Sequence, residues 1–167
     1  MENMILDAAT VIDSPIGDIF IGLKSWSLVT VEILTDAHKR SSFSSTSGDL
    51  EILDEAQKQI AEFFSGNRDS FELPISVAGT AFQMAVWKEI EKLKKGRVLS
   101  YGEIARAIGS PMAARAVGAA VGANPLPLII GCHRVLGSNS KITGYSGGKG
   151  LETKRWLLWH ENIEYKN

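Results

Sequence analysis

The sequence predicts an α+β fold. A small sheet with one helix forms the N-terminal half, followed by a mostly helical C-terminal half containing a helix-turn-helix. Three observations lead there. Apolar residues alternate at Ile19, Ile21 and Leu23 and again at Val29, Val31 and Ile33, the period of strands. After Thr80 the period lengthens to that of helices, and the helix starts carry capping residues. Charge is also segregated. Residues 1–79 carry 5 Lys+Arg against 13 Asp+Glu, whereas residues 80–167 carry 13 against 6. The net charge of −1 therefore conceals balances of −8 and +7. This division indicates two domains, residues 1–75 and 76–167, the second facing a polyanion.

Hydrophobic content of 44% and charged content of 22% are ordinary for a globular chain. A single cysteine excludes an internal disulfide framework, and no CxxC pair suggests a metal site. The N-terminus lacks the basic and apolar regions of a signal peptide, and no apolar run reaches membrane-spanning length. These features predict a cytoplasmic protein, or a nuclear one if eukaryotic, with no membrane partner.

Residues 4–34 read as β, with a Ser14-Pro15-Ile16-Gly17 turn between apolar runs. The Ser/Thr-rich stretch 35–48 reads as a loop, and His38 within it as a solvated side chain. Asp49 can cap a helix running to about Phe64, with Leu53, Ala56, Ile60, Phe63 and Phe64 on its apolar face. Thr80 and Gln83 form a capping box for a helix ending at Gly96, with Phe82, Ala85, Val86, Ile90 and Leu93 inward. Ser100 and Glu103 form another, and Gly109 breaks that helix. Ser110 and Pro111 predict the next start, with a helix from Met112 to about Gly122. Two helices across a glycine turn fit a helix-turn-helix and an ordinary helical hairpin alike. The second is rich in Ala and Gly, with Arg115 its one long polar side chain. Such a surface can approach a groove closely but can read little sequence.

The segment 124–135, Asn-Pro-Leu-Pro-Leu-Ile-Ile-Gly-Cys-His-Arg-Val, follows. Leu128, Ile129 and Ile130 predict a buried strand or extended run. Beyond it, Cys132 stands beside His133, and a thiol next to an imidazole is a candidate nucleophile. On these two residues alone, a small buried apolar cysteine is the commoner case. A turn at 137–140 and a Gly-rich loop at 143–148 come next. The loop could wrap a planar ligand, and it lacks the Lys-Ser/Thr ending of a phosphate-binding loop. A last helix from Leu151 to about Glu161 turns Trp156, Leu157 and Leu158 inward.

Six motifs stand in order over residues 80–161. They are Ser-Tyr-Gly-Glu (100–103), Ala-Ala-Arg-Ala-Val-Gly (113–118), Asn-Pro-Leu-Pro (124–127), Cys-His-Arg-Val (132–135), Gly-Tyr-Ser-Gly-Gly (144–148) and Lys-Arg-Trp-Leu-Leu-x-His-Glu (154–161). Together they resemble the O(6)-alkylguanine-DNA alkyltransferases, or methylated-DNA–protein-cysteine methyltransferases. The resemblance implies stoichiometric transfer of an alkyl group from O(6)-alkylguanine to Cys132 after base flipping, and leaves O(4)-alkylthymine open as a second substrate. It implies that His133 acts on the thiol through a water, Glu161 orients His133, Asn124 braces the turn and Tyr101 donates to the departing guanine. Arg115 would fill the hole in the base stack, with Ala113, Ala114 and Ser100 also at the DNA. Val135, Tyr145, Ser146, Gly147 and Val121 would frame the flipped base. The N-terminal domain would be ribonuclease-H-like and carry no catalytic residue. The partner implied is double-stranded DNA containing alkylated guanine, bound by a monomer, with no cofactor and no metal. The other reading within this resemblance is a non-catalytic lesion-sensing protein, against which Cys132 stands. Where the family carries proline before the cysteine, this chain has Gly131, expected to keep a φ of about −65°.

Overall fold

The computed structural model describes residues 5–35 and 47–167, which fall into two compact units, residues 1–77 and 78–167. His38 and residues 36–46 of the expected loop lie outside the described residues.

In the first unit, β1 (Ala8–Ile12), β2 (Ile19–Lys24) and β3 (Ser27–Ile33) form an antiparallel sheet in that order. Thr10 faces Ile21 across one pair, and Ile21 faces Val31 across the next. The turn before β2 closes as its residues predict: Ser14 Oγ donates to the Gly17 carbonyl, and Gly17 N–H donates back to the Ser14 carbonyl. The central strand departs from simple alternation, because Phe20 and Gly22 are buried along with Ile19, Ile21 and Leu23. Both faces of β2 are therefore covered. A β-carbon at Gly22 would lie 2.7 Å from the side chains of Leu6 and Thr30, so any larger residue there must displace them.

Helix α1 (Ser47–Phe64) packs Leu53, Ala56, Ile60 and Phe63 into this core. It begins two residues before Asp49, which is thus not its cap. Asp49 lies in the first turn, where the helix dipole favours a carboxylate. Gln59 reaches from α1 to the segment after it. Its amide donates to the Glu72 carbonyl and its carbonyl accepts from Glu72 N–H.

In the second unit, α2 (Ala81–Glu91) starts on the predicted capping box of Thr80 and Gln83. It stops at Glu91, five residues short of Gly96. Leu93 N–H donates to the Ile90 carbonyl in a tighter turn, and Gly96 takes φ +78° in the loop beyond. The apolar face gains Trp87, whose indole N–H donates to the Ala120 carbonyl at 2.8 Å.

The strand β4 (Leu99–Ser100) leads into α3 (Tyr101–Ala107), capped reciprocally by Ser100 and Glu103. The Ser100 backbone N–H, donating to Glu103, holds that carboxyl below its ordinary range. At the other end Gly109 takes φ +75°. Ser110 N–H donates to the Ala105 carbonyl and Gly109 N–H to the Arg106 carbonyl, a Schellman closure. Helix α4 (Ala114–Gly122) begins later than the sequence indicated. Ser110 does not cap it, because its carbonyl accepts from Ala113 N–H and closes a separate turn around Pro111 and Met112.

Leu128 and Ile130 are buried as expected and Ile129 is half-buried, but the run is not a strand. Ile130 N–H reaches back to the Leu126 carbonyl, and Leu128 takes φ +74°, so the chain coils on itself. After a short helical turn at Cys132–Arg134, β5 (Val135–Leu136) pairs parallel to β4. Helix α5 (Leu151–His160) closes the unit, with Leu157 and Leu158 fully buried and Trp156 half-buried.

Candidate active site

The site is built on the turn that replaces the expected strand. Asn124 organises it: its side-chain carbonyl accepts from Leu126 N–H at 3.0 Å, and its amide donates to the Ile130 carbonyl at 2.8 Å. Cys132 N–H then donates to the Ile130 carbonyl at 2.7 Å, an inverse γ-turn centred on Gly131. Gly131 has φ −69° and ψ 61°, within proline's range. Its N–H donates to no group among the described residues. A β-carbon there would come within 3.1 Å of the Arg134 side chain, which must give by a few tenths of an ångström. Gly131→Pro is thus expected to fold with stability within about 1 kcal/mol of wild type, the stiffer unfolded chain offsetting that contact. Thermal melting checks this, and a loss of several kcal/mol would show that Arg134 cannot move.

Cys132 is 4% exposed and forms part of the wall of a cavity of about 350 Å³. Tyr101, Val121, Tyr145 and Ser146 also line it, between α4, the Cys132 turn and the Gly-rich loop. The volume lies in the range of small-molecule sites. Ser146 Oγ donates to the Gly122 carbonyl at 3.1 Å, joining the loop to the end of α4. The Tyr101 and Thr143 hydroxyls hydrogen-bond each other at 2.8 Å.

Behind the thiol lies a buried polar cluster. His133 Nε2 is 2.7 Å from Glu161 Oε1, and both side chains are fully buried. Arg134 donates to both carboxylate oxygens of Glu161 from Nε and Nη2, and to the Leu93 carbonyl from Nη1. Gly96 N–H supplies a further donor to Glu161. Burial alone would raise the Glu161 pKa, but the hydrogen bonds and charges of His133 and Arg134 outweigh it and hold it at about 2. Glu161 is therefore a carboxylate, and His133 carries its proton on Nε2, facing it. His133 Nδ1 is then the acceptor atom, buried and with no protein partner. Burial lowers the His133 pKa against the opposing pull of Glu161, so the ring is neutral and able to accept a proton. Burial also raises the Cys132 pKa, with opposition from Asn124, Tyr145 and Lys154. The resting group is a thiol with a neutral base beside it.

Two residues that sequence reasoning left without a role complete the cluster. Lys154 is 1% exposed and donates from Nζ to the Val135 carbonyl at 2.6 Å. Its burial brings its pKa to about 8, though the Cys132 charge favours the ammonium. Arg134 is the second, buried against Glu161. Charged side chains ordinarily read as surface; the one available signal was Lys154 lying one helical turn before Leu157 and Leu158.

Of the residues expected at the base, Val121, Tyr145 and Ser146 line the cavity together with Tyr101 and Cys132. Val135 and Gly147 are not in its lining, and the Val135 carbonyl already accepts from Lys154. Of those expected at DNA, Ser100, Ala114 and Arg115 line a second, larger groove of about 880 Å³, whereas Ala113 does not. Arg115 is exposed on α4, while Val117, Ala120 and Val121 face the core. No group of His, Cys, Asp and Glu suited to holding a metal occurs among the described residues.

A fold of small antiparallel sheet and helices, with a buried Cys-His-Glu constellation beside the paired helices α3 and α4, defines a class of protein for which known relatives exist. Residues 81–163 match the family described as 6-O-methylguanine DNA methyltransferase, DNA binding domain. A constitutive methylated-DNA–protein-cysteine methyltransferase of Bacillus subtilis is 50% identical over 114 residues, covering 68% of each chain. The methylated-DNA–protein-cysteine methyltransferase of Methanosarcina acetivorans is 38% identical over 148 residues, 89% of this chain and 94% of the relative. Among solved structures, the Mycobacterium tuberculosis O6-methylguanine methyltransferase superposes with a TM-score of 0.80 at 38% identity, covering 92% of both chains. The same organism's protein in complex with DNA gives 0.80 at 37% identity over 93% of both. The chain belongs to the methylated-DNA–protein-cysteine methyltransferase family.

Proposed function

We propose that this protein repairs alkylated DNA by moving the alkyl group of an O(6)-alkylguanine onto Cys132, once per molecule. The observation that carries the reading is the Cys132 thiol in the wall of a base-sized cavity, backed by the buried His133–Glu161 pair. The alkylated oxygen lies inside a duplex, so the base must leave the stack to meet the thiol. Arg115, the exposed long side chain on an otherwise small-residue helix face, enters the gap. The acceptor atom His133 Nδ1 takes the thiol proton through a water. The sulfur lone pair then attacks the alkyl carbon, the C–O bond breaks, and its electron pair stays on the guanine; the Tyr101 hydroxyl in the same cavity donates a proton to the guanine and regains one through water from His133, which held the thiol proton. Glu161 and Arg134 fix the imidazole's tautomer throughout. The new C–S bond is a thioether that water does not cleave, so the acceptor is consumed.

No described helix is long and apolar enough to cross a membrane. This substrate requires a compartment that holds DNA, the cytoplasm or, in a eukaryote, the nucleus.

Duplex carrying labelled O(6)-methylguanine tests the reading. One equivalent of label bound per protein is expected. No transfer would point to a lesion-binding protein, and release of many equivalents to a hydrolase. Arg115→Ala should slow repair in duplex by at least tenfold while changing reaction with free O(6)-benzylguanine far less, because only the duplex requires flipping. Single-turnover rates on both substrates decide it; equal losses would assign Arg115 to the fold.

A further inference from the structure

Tyr145 presents a hydroxyl that the transfer chemistry above leaves unused. Its phenolic oxygen is buried and has no hydrogen-bond partner, in the wall of the cavity it shares with Cys132. Buried hydroxyls without partners are rare, and such a group calls for an acceptor that exists in another state of the molecule. The ionisable group that shares this wall is the Cys132 thiol, whose charge acts on the phenol. A thiol is a weak acceptor, whereas a thiolate is a strong one.

We propose that the Tyr145 hydroxyl is a catalytic donor that stabilises the Cys132 thiolate as the proton leaves, a role that rests on Cys132 being the acceptor. A bond made only after ionisation lowers the free energy of the reactive state without stabilising the resting one. The other groups around the sulfur have carbonyl acceptors in the resting state. Asn124, from the segment after α4, spends one amide N–H on the Ile130 carbonyl, and Lys154, from α5, spends one ammonium N–H on the Val135 carbonyl; both still favour the Cys132 thiolate, and the Tyr145 hydroxyl adds to them. His133, on the same turn, holds Nε2 to Glu161, itself held by Arg134, and meets the sulfur only through a water from Nδ1. Tyr145, from the Gly-rich loop, holds a proton committed to no other acceptor. Burial, and then the Cys132 charge, keeps the phenol protonated, so it donates rather than ionises.

Tyr145→Phe tests this on the thiol itself, without DNA. The ultraviolet absorbance of the thiolate, followed against pH, should shift its midpoint upward by about one unit. At a pH below that midpoint, the rate of alkylation by iodoacetamide should fall about threefold rather than tenfold, because a more basic thiolate is the better nucleophile. The melting temperature should stay level or rise, since the deleted hydroxyl had no partner in the resting state. An unmoved midpoint, or a lower melting temperature with an unmoved midpoint, would overturn the assignment. Should the Phe variant not fold, a fluorotyrosine placed at 145 is a stronger donor and should lower the midpoint; no shift overturns the proposal equally. A shifted midpoint with no methyl transfer from DNA would count against the repair reading and leave the donor role standing.

Discussion

Cys132→Ala is expected to abolish alkyl transfer while leaving DNA binding in place. The thiol is the sole sulfur nucleophile of its type in the chain, and it occupies the wall of the cavity that would receive the base. No neighbouring side chain is placed to substitute. His133 Nδ1 is buried and meets the thiol only through a water, Lys154 donates to the Val135 carbonyl, and burial holds Tyr145 as a neutral phenol. The groove lined by Ala114 and Arg115 runs between α3, α4 and the segment 136–143 and does not include Cys132. Affinity for duplex should therefore remain close to that of wild type and fall as salt rises, as phosphate contacts require. Loss of binding together with transfer would show that the substitution had disturbed the fold around the turn. Parallel gel-shift and labelled-transfer measurements separate the two outcomes.

Glu161→Ala is expected to destabilise the protein by about 3–5 kcal/mol, because it leaves Arg134 as an uncompensated buried charge. Glu161 accepts from His133, Arg134 and Gly96, so the loss reaches three segments of the unit at once. The same cluster sets an acid dependence. The folded pKa of about 2 lies below the ordinary glutamate value of 4.5, so Glu161 contributes its stability above about pH 4.5. That contribution, roughly 3 kcal/mol from the size of the shift, is lost as the pH falls from about 4.5 toward 2. Denaturant unfolding between pH 7 and pH 2.5 should show the decline in wild type and its attenuation in Glu161→Gln. An equal decline in both would assign the acid sensitivity to other carboxylates.

Much of this architecture was legible because local chemistry determined it. The capping boxes at Thr80 and Ser100 and the glycine closure at Gly109 each act within a few residues, and the structure forms all three. Alternation likewise marked the strands. Sequence reasoning failed where a distant partner or a competing local bond decides. The run 128–130 is apolar enough for a strand, but Asn124 folds it into a turn through two hydrogen bonds of its own. Ser110 has a cap's side chain, yet its carbonyl closes a turn with Ala113 first. The burial of Lys154 and Arg134 depends on acceptors at Val135, Leu93 and Glu161, and only a three-dimensional arrangement brings those together. Cys132, His133 and Glu161 were legible as motif members, but the unpartnered hydroxyl of Tyr145 in the wall it shares with the thiol was not.

The most direct test of the central claim is the mass of the peptide containing Cys132 after wild-type protein meets duplex with a single O(6)-methylguanine. One added methyl group is expected on that peptide, fixed to the sulfur, in one-to-one proportion to guanine restored in the DNA. Guanine restored with the Cys132 peptide unmodified, or a methyl group carried on any other residue, would contradict that claim.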